Sequence, residues 1–191
     1  MTRLDRQIAF LVEADRLKSV TRATTLADAS RAENSAEHSW HLSLYALILA
    51  DQADPAVDIN RAIRMLILHD LVEIDAGDMP IFAQVDTAAM TDAEARAADR
   101  IFGLLPEDQR DEMRAIWDEF EAAETPTAAF AKALDRFQPP MQNLASGGGS
   151  WTEYNVTPDK IEARVAPAIK RGAPRLWAYA KARIDAFFAV R

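Results

Sequence analysis

The chain has 191 residues, 49% of them apolar and 27% charged with both signs interspersed, a balance that suits one compact domain and excludes wholesale disorder. Its formal charge of −8 argues against a grip on nucleic acid polymers, which needs many Lys and Arg contacts to phosphate, and the absence of cysteine excludes disulfides and thiolate metal sites. No window is apolar enough to span a bilayer, and "MTRLDRQIAFLVEADRL" at the amino terminus lacks a secretory hydrophobic stretch, so cytoplasmic residence without a membrane partner is expected.

In chain order, Leu4, Ile8, Leu11 and Val12 recur at a period near 3.6 and predict an amphipathic helix over about 3–18. From Ser35 to about Gln52 apolar residues surround the whole helix, which marks it as central and buried. Asp58 caps "INRAIRMLILHDLVEID", which Gly77 ends, and Thr91 to Glu94 has capping-box spacing that opens a fourth helix. Pro106 starts a fifth, Thr125-Pro126 and Thr157-Pro158 each pair a hydroxyl cap with a first-turn proline, and a last helix runs from about Pro174 to Val190. No stretch alternates well enough for a strand. The expected fold is all-α, a single domain over 1–191 with seven or eight helices. "SGGGS" at 146–150 reads as a flexible loop, because a phosphate cradle needs a strand before it.

The three histidines, His38, His41 and His69, all fall on the two helices that read as most buried. Buried imidazoles need hydrogen-bond partners or a metal, and the pair His69-Asp70 interrupts an apolar run. Adjacent helical residues diverge by about 100°, so both reach one point only if other helices supply further ligands. His38 is the candidate on a second helix; Asp135, set among Phe130, Leu134 and Phe137, is the candidate on a third. The expected shell is His38, His69, Asp70 and Asp135, although this spacing alone does not single it out.

With those residues in view, "AEHSWHLSLYALILAD", "RMLILHDLVEIDAGDMP" and "AKALDRFQPPMQNL" resemble the H…HD…D pattern of the HD-domain metal-dependent phosphohydrolases, in the group of the bacterial 5′-deoxynucleotidases (YfbR-like). The match runs from about Arg16 to Leu144, with the helices over 157–190 completing the bundle. The resemblance implies one divalent ion on His38, His69, Asp70 and Asp135, and gives Glu73 and Asp78 the water and proton transfers of hydrolysis. It implies in-line attack of water on a phosphomonoester, most naturally a 5′-(deoxy)nucleoside monophosphate. Arg22 matches a substrate-binding arginine, and Arg31 lies just before the His38 helix; both are candidates for a forked phosphate contact. As a departure, Ala23 stands where the deoxynucleotidases carry a tryptophan near the sugar and base.

Two imidazoles and two carboxylates suit Mn, Co, Fe, Ni, Zn or Mg. A single spare histidine disfavours binuclear relatives, and "HDLVEI" has Ile74 where guanosine tetraphosphate hydrolases carry a second acid. His41 is expected beside the shell or in the core, Glu33 and Glu37 are candidates for orienting ligand histidines, and Trp40, Tyr45, Trp117 and Trp177 are assigned to core or interface packing. Aromatics on the late helices suggest a homodimer, as in the relatives. The alternative function is a catalytically silent HD module that binds a nucleotide or mediates assembly.

Overall fold

The computed structural model describes residues 1–83 and 86–190. Helix α1 (Arg3–Ala14) opens on a capping box between Thr2 and Asp5 and tightens into a 3-10 turn over Asp15–Ser19. Strands β1 (Thr21–Thr25) and β2 (Ala32–Asn34) then pair antiparallel, with Thr21 opposite Asn34 and Thr25 opposite Ala32. This hairpin corrects the expectation of no strand. Its strands are short and pair across an irregular register, so they leave no clean alternation to read.

Asn34 ends β2 and also caps α2 (Ser35–Ile48) through a second capping box with Glu37. Helix α3 (Ile59–Leu68), capped by Asp58, passes into a 3-10 turn over His69–Val72 and then α4 (Glu73–Ala76), which stops at Gly77 in a positive-φ conformation. The long helix expected across the His-Asp pair is therefore overwound at that pair. Helix α5 (Thr87–Phe102) begins one turn before Thr91: Asp86 is the cap and accepts from Ala88 N and Ala89 N. Beyond it come α6 (Glu107–Ala122), α7 (Pro126–Ala145), α8 (Ser150–Glu153), α9 (Pro158–Arg164), α10 (Ala166–Gly172) and α11 (Pro174–Ala189). The architecture is helical as expected, in more and shorter segments.

Helix α7 is the axis of the molecule and packs against α2, α3, α6, α10 and α11. Phe130, Leu134 and Phe137 sit in the apolar core, which is how Asp135 comes to be buried. Gly172 lets α10 approach closely, since a Cβ there would lie 1.9 Å from the Ala129 carbonyl oxygen on α7.

Burial departs from the apolar pattern of the sequence in three places. The α1 stripe of Leu4, Ile8, Leu11 and Val12 faces outward, and Phe10 is the buried residue of that helix. Helix α2 is buried on one face only, for Trp40, Leu44, Leu47 and Ile48 are exposed. On the late helices Trp177 is buried, while Phe187 and Phe188 close onto the Trp151 ring, so most of that aromatic surface is consumed internally. A periodic stripe identifies a face but not what covers it.

Candidate metal centre

Ligand atoms of His38 from α2, His69 from the end of α3 and Asp135 from α7 all lie within 4.8 Å of one another. Asp135 Oδ1 is 3.1 Å from His38 Nε2 and 3.8 Å from His69 Nε2. Asp70 adjoins this trio: its Oδ1 is 2.9 Å from His69 Nε2, and its Oδ2 accepts from Arg22 Nη1 at 3.0 Å. The overwound turn aims both members of the pair at the same point.

The tautomers follow from the opposite edges of the rings. His69 Nδ1 lies 2.9 Å from the Leu66 carbonyl oxygen, which can only accept, so Nδ1 carries a proton. His38 Nδ1 faces Glu33 Oε2 at 3.4 Å. Glu33 is itself buried and held by Gln138 Nε2 and Gln142 Nε2, which donate to its Oε1 at 2.9 and 3.0 Å. A proton on His38 Nδ1 as well, facing a Glu33 oxygen that has no hydrogen-bond partner among the described residues, would leave both neutral rings pointing Nε2 lone pairs at carboxylate oxygens. His69 Nε2 is buried without a hydrogen-bond partner among the described residues. Electron pairs converging on one point need a shared cation, and this donor set fits a divalent ion.

Without that ion the charges fall on protons. Burial opposes charge on His69, but Asp70 and Asp135 outweigh it and push the imidazole up to about 10. Burial likewise opposes ionisation of Asp70, yet His69 and Arg22 hold it at about 2. Glu73 is pushed up to about 8, first by burial and then by Asp70, against the pull of Arg22. Its Oε2 accepts from Ser35 Oγ at 2.5 Å. Asp78 is raised by burial and moderated by Arg22, whose Nη1 is 3.2 Å away.

Two cavities meet here. A polar one of about 250 Å³ is lined by His69, Asp70, Glu73, Glu94, Lys132 and Asp135, large enough for an ion, a phosphoryl group and waters. A more apolar one is lined by Ala23, Ile81, Phe82, Pro140, Trp151 and Tyr154. Arg22, Asp78 and Arg136 line both.

Of the expected phosphate arginines, Arg22 is brought to the cluster and Arg31 is not. Arg31 is exposed and forks onto Glu37, whose carboxylate also completes the α2 capping box, so neither turns toward the histidines. His41 is half-buried beside the shell, its Nδ1 3.3 Å from Gln138 Nε2. Sequence reading missed Ser35, Gln138, Gln142 and Arg136. "SGGGS" is a turn after α7, in which Gly148 N donates to the Asn143 carbonyl oxygen.

A helical scaffold that gathers two histidines and an aspartate from three helices over an acid-lined cavity carries a candidate metal centre of the His/Asp class. Residues 14–177 match the HD domain family, and the chain belongs to that family. A crystal structure from Magnetospirillum magnetotacticum, described as a predicted metal-dependent phosphohydrolase, is 48% identical with a TM-score of 0.91, covering 98% of this chain and 96% of that one. The human protein named 5′-deoxynucleotidase HDDC2 is 27% identical over 136 residues, 71% of this chain and 65% of the relative, so the match spans just under two thirds of that protein. A 5′-deoxynucleotidase of Shewanella oneidensis is 26% identical over 152 residues, 73% of this chain and 77% of the relative. No described helix is long and apolar enough to cross a membrane.

Proposed function

We propose that this chain is a metal-dependent phosphomonoesterase that hydrolyses 5′-(deoxy)nucleoside monophosphates to nucleoside and phosphate. The observation that carries the reading is the convergence of His38, His69 and Asp135 beside a polar cavity whose lining includes His69 and Asp135 together with Glu73 and Asp78. The relatives named 5′-deoxynucleotidase support the substrate class.

His38, His69, Asp70 and Asp135 would hold one divalent ion, drawn from Mn, Co, Fe, Ni, Zn or Mg. When bound, that ion supplies Lewis-acid polarisation of a phosphoryl oxygen and activation of water. Glu73, on the polar cavity alone and held by Ser35, is placed to exchange a proton with the attacking water or the leaving ester oxygen. Asp78 lines both cavities and is the second group placed for proton transfer, to the ester oxygen as its bond to phosphorus breaks or from the attacking water. Arg22, within 3.7 Å of Glu33, Asp70, Glu73 and Asp78, holds these acids in place.

The same reading takes 1–191 as one HD domain working in the cytoplasm on a small-molecule phosphate. It also takes the chain as a homodimer, which sedimentation equilibrium would detect or refute. The test of activity is phosphate release from a panel of nucleoside and deoxynucleoside monophosphates, with cobalt, manganese, magnesium or chelator. Metal-dependent release is expected; silence across the panel with metal bound would favour the silent binding module, for which Glu73 and Asp78 have no task.

A further inference from the structure

We propose that Arg136 is the phosphate-binding cation of this site, gripping the phosphoryl group at the junction of the two cavities. The inference builds on the phosphomonoesterase reading. Arg22 was the expected phosphate ligand, but its side chain is only 10% exposed and its guanidinium serves carboxylates: Asp70 at 3.0 Å, Asp78 at 3.2 Å, and Glu33 and Glu73 at 3.7 Å. A dianion entering the polar cavity meets six lining acids, Asp70, Glu73, Asp78, Glu94, Glu121 and Asp135, so more positive charge must face the cavity. Lys132 lines it, but its ammonium donates to Glu121 at 2.9 Å and lies 3.9 Å from the centre of the Phe120 ring.

Arg136 differs from both. Its side chain is 36% exposed, it lines both cavities, and the one ion pair it makes among the described residues is with Asp135 Oδ2 at 3.3 Å. Asp135 divides its oxygens: Oδ1 faces the histidines and Oδ2 faces Arg136. The guanidinium therefore stands one carboxylate's width from the candidate ion position, with most of its five N–H donors uncommitted. A planar fork at that place matches two phosphoryl oxygens. A phosphate held so would turn its organic group toward the wall formed by Ala23, Phe82 and Tyr154.

The experiment is calorimetric binding of inorganic phosphate to metal-loaded wild-type, Arg136→Gln and Arg136→Lys proteins, with metal content measured on each. Arg136→Gln should weaken phosphate binding about 10- to 100-fold at unchanged metal content, and Arg136→Lys should recover part of the loss. Wild-type phosphate affinity in Arg136→Gln would overturn the proposal. Loss of metal in both variants would overturn it too, by assigning Arg136 to holding Asp135. Binding is read without turnover, so failure of wild-type protein to hydrolyse any monophosphate would refute the activity while leaving this test intact.

Discussion

Glu33 Oε2 stands 3.4 Å from His38 Nδ1, and both groups are buried. Neither atom has a hydrogen-bond partner among the described residues, so a proton on Nδ1 would answer both and turn the His38 Nε2 lone pair toward Asp135, while α7 holds Glu33 in place by donating Gln138 and Gln142 to its other oxygen. Removing the charge of an acceptor behind a ligating histidine characteristically costs about 10- to 100-fold in metal affinity. Glu33→Gln is expected to show a loss of that size in chelator competition; unchanged affinity would mean that the contact does not set the tautomer.

Metal uptake should release protons. In the metal-free chain His69 is raised to about 10, so at pH 7 its imidazole is protonated, whereas a ligating imidazole must be neutral. The raised value stabilises the metal-free fold fully below the unfolded histidine pKa of about 6.5, and this contribution is lost as pH rises toward 10. Metal binding runs the other way and should tighten with pH from 6 to 8. Calorimetry in two buffers of different ionisation enthalpy measures the protons released per ion, and zero at pH 7 would contradict the assignment.

Asp70 and Glu73 should separate in their phenotypes. Asp70→Ala removes a proposed ligand oxygen and is expected to abolish both metal content and turnover. Glu73→Ala leaves the histidines and Asp135 untouched, so metal should stay while kcat falls about 10²- to 10⁴-fold. Full rate in Glu73→Ala would remove it from the proton-transfer role.

Gly172→Ala probes the packing that supports α7. A methyl group 1.9 Å from the Ala129 carbonyl oxygen cannot be accommodated without moving α10. The expected cost is about 1–3 kcal/mol, seen as a Tm lowered by several degrees in thermal unfolding of the metal-free protein. An unchanged Tm would show that α10 yields freely.

The residues that meet at the candidate centre were legible because each breaks a local rule: His38, His69, Asp70 and Asp135 are polar groups in apolar helical runs, a conflict visible within one turn of chain. Helix caps such as Asp58, Thr125 and Thr157 rest on bonds three residues long. The β1–β2 hairpin was not legible, because two short strands acquire their pairing only from each other. Arg31 illustrates the same limit, for its nearness to His38 in the chain says nothing of Glu37, six residues on, which captures it.

Sequence alone therefore determined the helical class and the polar residues that the core must satisfy, since periodicity and misplaced charge are local properties. Tertiary structure decided which apolar faces stay exposed on α1 and α2, that Glu33 rather than Glu37 stands behind His38, and that Arg136 rather than Arg31 faces the cavity. These choices depend on how α7 is rotated against α2 and α3, and that rotation is set by packing over the whole core rather than by any neighbouring residues in the chain.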